Sequence, residues 1–296
     1  MMGKVGRCLI PQRTLECREN SGTIQPVSEN RYLPDTNRVG VLTAAVLLTY
    51  ALTHLIKTPQ FTVELQLPGF YLAYPVGLST VMTILAAGLT ATGMDWLLRS
   101  HPSLSATRTI EHWLLPTLAT FILGVLLTLL PAGNTWWLGF GIGGLLLVLI
   151  FLAEYIVVEP STPNYAIATA GLTALSYAIY LILTIALRYG GARLFLLAPV
   201  LFIVAGLVSL RTLHLRIGKQ WQLNWSLGVA LVCTQIGAGL HYWPVSPVQF
   251  GLALLGPLYA LTTLTGNLLE GVTLQRTIVE PLLALGLTWG IAVLFH

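Results

Sequence analysis

Asp95 and Arg99 stand four residues apart in Thr-Gly-Met-Asp-Trp-Leu-Leu-Arg, a spacing that puts acid and base on one helical face with the acid amino-terminal. Arg108, Glu111 and His112 follow within one short polar stretch, and two further charges, Glu154 and Arg211, sit near the ends of other apolar runs. An ionised carboxylate at such a depth is costly unless paired or wetted. Were these groups to converge, arginines could hold an anionic head group while Asp95 or Glu111 moves a proton. Left apart, they are interfacial ion pairs that pin helix ends.

A second set of candidates lies deeper. Gln235 falls inside one apolar run, and Gly256-Pro257 interrupts another that continues through Thr262, Thr263, Thr265 and Asn267. Proline at mid-depth removes a backbone donor and leaves a carbonyl open, as in the broken helices of transporters. These spacings predict a binding site at Gln235, Gly256, Pro257 and Asn267, with the Asp95 cluster as its inner gate. The six histidines show no metal spacing and read as polar tips at the interfaces. Cys8, Cys17 and Cys233 form no paired framework.

The elements that must position these residues are membrane spans. With 55% hydrophobic and 9% charged residues, the 296-residue chain cannot cover a soluble surface, which needs about 25% charged residues. Apolar runs are predicted at 39–57, 72–98, 111–131, 135–158, 164–187, 192–212, 221–241, 247–269 and 276–296. The fold class is therefore an all-α transmembrane bundle of about nine spans, a single domain over 39–296 behind a disordered cytoplasmic tail, 1–38. Alternation in Phe61-Thr-Val-Glu-Leu-Gln-Leu67 before Pro68-Gly69 adds a short outer hairpin near 61–73. Helix starts are signalled at Asn134, at Ser161 or Thr162 before Pro163, at Ser246 before Pro247, and by a capping box at Thr277-Ile-Val-Glu280.

With the amino terminus inside, twelve of the fifteen Lys and Arg residues fall on the inner side and three, Lys57, Arg188 and Arg193, outside. Trp96, Trp113, Trp221 and Trp225 then form an inner belt and Trp136, Trp137 and Trp243 an outer one, with Trp289 the exception inside the last span. The net charge of +4 is spread over loops with no basic stripe, which argues against nucleic acid. Gly139-Phe-Gly-Ile-Gly143 and Gly286-Leu-Thr-Trp-Gly290 read as close packing between helices of this chain.

No nucleotide-binding loop, zinc-protease motif or nucleophile elbow is present. Nine spans and a polar loop after the second resemble the intramembrane prenyltransferases of the UbiA type, in which two aspartate-rich motifs hold magnesium and a diphosphate. Here Gly93-Met-Asp-Trp supplies Asp95 alone and Arg211-Thr-Leu-His-Leu-Arg216 has no acid, so the resemblance is one of topology. Gly-Met-Asp-Trp-Leu-Leu-Arg-Ser-His-Pro is similar in texture to bacterial polytopic families without an assigned activity. The reading that results is an inner-membrane protein with the lipid bilayer as its surroundings, leaning to a small-molecule carrier or binding role and away from catalysis. The alternatives are an enzyme of the cytoplasmic leaflet acting on a lipid-linked or phosphorylated substrate, and a packing subunit of a complex.

Overall fold

The computed structural model describes residues 35–56, 61–67, 70–99, 112–159, 164–218 and 221–294. Among them, nine helices run α1 Thr36–Leu55, α2 Leu78–Leu98, α3 Leu114–Leu129, α4 Asn134–Val157, α5 Tyr165–Tyr189, α6 Leu194–Ile217, α7 Leu223–His241, α8 Pro247–Leu269 and α9 Leu274–Leu294. Strands β1 Phe61–Leu67 and β2 Phe70–Val76 pair antiparallel between α1 and α2, with Phe61 opposite Val76 and Leu67 opposite Phe70. The second span therefore begins at Leu78 rather than 72, because the residues before it are strand.

Eight helices are long and apolar enough to cross a membrane, and α3 is shorter. This is the architecture of a multi-pass membrane protein, with eight full-length candidate spans among the described residues where the sequence predicted about nine. Sixteen residues give α3 a rise of about 24 Å, short of a hydrocarbon core of about 30 Å. It nevertheless runs alongside most of α4. His112, just before α3, reaches Glu154 at the end of α4, and Leu130, just after α3, packs over Gly139 near the start of α4.

Contacts between helix ends fix the up-and-down order. His54 at the end of α1 stacks on Trp136 at the start of α4, with ring centroids 3.8 Å apart. Arg38 in the first turn of α1 lies over the Trp96 ring of α2 and donates to its carbonyl. Asn267 at the end of α8 faces the backbone of Thr277 in α9. The bundle thus has a Glu154 end, with the start of α1, and a His54 end opposite.

Between the two ends, Val46, Met94, Leu97, Leu98, Leu147, Ile150 and Phe151 are fully or almost fully buried in one apolar core. Helix starts use varied devices. Ser246 accepts from the Gln249 amide while the Gln249 side chain accepts from the Ser246 amide, a complete capping box on α8. Asn134 is the first residue of α4 behind Gly133, with no side-chain cap. Thr277 is no cap either. Helix α9 starts three residues earlier, and the Thr277 hydroxyl donates back to the carbonyl of Thr273. Residues 161–163 and the tail before residue 35 lie outside the described residues.

Candidate functional site

Glu154 is the most deeply placed charge in the described chain. It sits one turn inside the end of α4 and is fully buried. Its Oε2 accepts from Arg211 Nη2 and lies 3.0 Å from Nδ1 of His112. A carboxylate only accepts, so Nδ1 carries the proton in that contact. Arg211 is 2% exposed; α6 continues to Ile217, beyond the predicted span end at 212, which draws the guanidinium inside. One acid thus joins α3, α4 and α6. Glu154 Oε1 and Arg211 Nε make no hydrogen bond among the described residues.

The remaining predicted site residues divide into four groups. Asp95 and Arg99 form their own pair at 2.6 Å, with the arginine side chain 71% exposed, so Arg99 is committed to a neighbouring acid. Arg108 and Glu111 lie outside the described residues. Asn267 is not at mid-depth: it is two residues from the end of α8, where its Oδ1 accepts from Arg216 Nη2. That same Arg216 grips Glu270 side-on, with Nη2 to Oε2 at 2.8 Å. The cluster ties α6 to α8, and of its three residues only Asn267 was a candidate from the sequence.

The predicted break at Gly256-Pro257 is closed. Helix α8 passes through Pro257 unbroken, and a methyl at Gly256 would lie 2.3 Å from Thr288 Oγ1 of α9. The groove beside Pro257 is walled by Val232, Ile236, Leu261, Leu282 and Leu285. Gln235 faces outward from α7 with Leu231 and Val232. These residues do not assemble a polar site at mid-depth, because the neighbouring helices meet there through hydrocarbon. Gly139 and Gly143 do receive Leu130 and Leu123 of the α3 hairpin, whereas Gly286 and Gly290 are exposed with no neighbour within 4 Å, against the packing role predicted for them.

The polar cavity is elsewhere, at the His54 end. A pocket of about 290 Å³ opens between α1, α2, α3 and the start of α4, walled by Tyr50, Thr53, His54, Ser79, Thr83 and Thr128, with Gly124 and Trp136. Gly124 is what lets it form: a Cβ there would stand 2.6 Å from Thr83 Cγ2 and 3.0 Å from the Tyr50 ring. Below the pocket, the Tyr50 hydroxyl donates to the carbonyl of Thr120 at 2.6 Å, and the Thr90 and Thr120 hydroxyls meet at 3.0 Å. Sequence reasoning missed this site. Its signal was present in the spacing of Tyr50 and Thr53, of Ser79 and Thr83, and of Gly124 and Thr128 along three consecutive spans, each pair three or four residues apart and so on one helix face. Among the described residues, no group of three or more His, Cys, Asp or Glu side chains has the geometry of a metal site.

Residues 57–295 match the profile of a family described as Protein of unknown function (DUF5656). No curated protein and no solved structure matches the chain.

Proposed function

We propose that this chain, which belongs to the DUF5656 family, is a carrier or binding protein for a small polar molecule. The molecule is admitted at the His54 end and held back at the other by the Glu154 cluster. The observation that carries this reading is the hydroxyl-lined pocket itself. A cavity of about 290 Å³ walled by five hydroxyls and an imidazole contrasts with three grooves elsewhere among the described residues, whose walls are almost wholly hydrocarbon. Polar groups within a span cost free energy unless they face a partner or water, so their concentration around one cavity favours a ligand there.

The second half of the reading comes from the opposite end of the same helices. Helices α3 and α4 contribute to the pocket at one end and to the Glu154, His112 and Arg211 cluster at the other. A buried ion pair is weak support for stability but is suited to a latch with two states, made or broken. The positive-inside count supports an orientation with the Glu154 end in the cytoplasm and the pocket mouth outside, in a cytoplasmic membrane. The substrate path therefore runs along α1 to α4 instead of through Pro257.

Cysteine accessibility in proteoliposomes tests this without a known ligand. In a background with Cys8 and Cys17 replaced by Ser, Ser79→Cys is expected to react with an impermeant maleimide only from the side opposite the start of α1. Thr120→Cys, below the pocket, is expected to stay silent until Glu154→Ala opens the latch. A Ser79→Cys that reacts from neither side removes the pocket. A Thr120→Cys that stays silent in both backgrounds removes the latch.

A further inference from the structure

The wall of the pocket has a chemistry more specific than polar. Thr53 donates its hydroxyl proton to the carbonyl of Thr49 at 2.8 Å, Thr83 to that of Ser79 at 2.8 Å, and Thr128 to that of Val125 at 2.6 Å. Tyr50 gives its proton to the carbonyl of Thr120. A hydroxyl has one proton and two lone pairs, so these four oxygens can offer the cavity only acceptor positions. The backbone of each helix has fixed the polarity of the wall.

Such a wall discriminates by charge. An anion would meet four committed lone-pair oxygens with only the His54 imidazole and the Ser79 hydroxyl as donors, since no Lys or Arg lines the pocket among the described residues. A cation would meet acceptors but no countercharge, since no Asp or Glu is there either, and a charge at this depth without one is expensive. What remains is an uncharged molecule carrying several donors. The cavity is at the lower edge of ligand pockets, about 300 Å³, which limits that molecule to one ring or a short chain.

From this we infer that the pocket of Tyr50, Thr53, Ser79, Thr83 and Thr128 binds an uncharged polyhydroxyl group, a polyol or a single sugar unit. Ligand hydroxyls donate to the Tyr50, Thr53, Thr83 and Thr128 oxygens, whose own protons are already turned to backbone carbonyls, while the Ser79 hydroxyl is left to donate or accept. The source of that group can be a free solute or the glycosyl head of a lipid. This inference rests on the pocket proposed above and narrows its ligand.

The test is equilibrium binding to the purified full chain in detergent, read by scintillation proximity with tritiated glycerol, myo-inositol, glucose, dodecyl glucoside and choline. Saturable binding of at least one of the first four, and none of choline, is expected. Thr83→Val and Thr128→Val keep shape and remove one acceptor each, and each is expected to weaken that binding roughly tenfold, the equivalent of one hydrogen bond. Thr92→Val, outside the pocket, leaves it unchanged. Binding of dodecyl glucoside alone assigns the lipid source; binding of the free polyols assigns the solute. Binding of none of the four, binding of choline, or binding that survives both valine variants in a monodisperse protein overturns the assignment. If Ser79→Cys is labelled normally while no polyol binds, the ligand class fails and the pocket stands; if the labelling also fails, both fall.

Discussion

The indole Nε1 of Trp289 donates to the carbonyl of Ala253 at 3.2 Å, across from α9 to α8. Ala253 precedes Pro257 by four residues, so its carbonyl is the acceptor that an ordinary residue at 257 would have used. The tryptophan that broke the pattern of two interfacial belts thus has a reason to sit within a span: it replaces the donor that proline lacks. The carbonyl freed by Pro257 thus has a donor within the protein.

Trp289→Phe should therefore destabilise the protein by about 1–2 kcal/mol, from one lost hydrogen bond and an acceptor left without a donor. Pro257→Ala restores the amide at 257. In the double variant the cost of Trp289→Phe should fall by more than half, because Ala253 regains a partner in its own helix. Thermal unfolding of the four proteins in detergent measures the cycle. Strictly additive effects would show that Trp289 serves only as a packing surface.

How much was legible in the sequence depends on the kind of signal. Hydropathy located every helix, since an apolar run of about twenty residues reads the same whatever it packs against. Glu154 and Arg211 were legible as candidates because a charge inside such a run has few ways to be stable. Their pairing with His112 was not: the three come from different helices, and only the α3 to α4 register brings them together. The pocket was least legible, because threonine that bonds its own helix is common in spans and only the meeting of three such faces makes a cavity. The position of Asn267 two residues from the end of its span was legible in the same hydropathy, whereas its tie to Arg216 of α6 was not.

Glu154→Gln should be among the most damaging single changes. It leaves Arg211, 2% exposed, without its countercharge, and stranding one member of a buried pair costs about 3–5 kcal/mol. The paired replacement Glu154→Leu with Arg211→Met should recover most of that loss, since neither charge then remains to be desolvated. Unfolding midpoints in detergent decide it. A Glu154→Gln protein as stable as the parent would show that Arg211 reaches water or another acid.

Gly124→Ala tests whether the pocket depends on one missing methyl. The added Cβ would come within 2.7 Å of Thr83 Oγ1 and 3.0 Å of the Tyr50 ring, so both must shift into the cavity. Overpacking of this size costs about 1–3 kcal/mol, against a gain of about 0.5–1 kcal/mol for replacing a helical glycine. The net expectation is a modest loss of stability with a loss of polyol binding. Gly88→Ala, on α2 with nothing within 4 Å, should show only the gain. Equal effects of the two substitutions on stability and binding would mean that Thr83 and Tyr50 yield freely.

Gly266→Ala should act through a residue on another helix. A Cβ at 266 would lie 2.8 Å from Arg216 Nη1 and 3.2 Å from its Cζ, so the guanidinium that lies flat over this glycine must lift away. Lifting breaks the side-on grip on Glu270 and the contact with Asn267. Both partners of the ion pair are about one third exposed, at 34% and 37%, so the loss should be no more than about 1 kcal/mol. In a Glu270→Gln background Arg216 has already lost its ion pair, and Gly266→Ala should then cost clearly less than in the parent. Unfolding midpoints of the four proteins measure this coupling. A cost unchanged by Glu270→Gln would locate the effect in helix α8 itself, independent of Arg216.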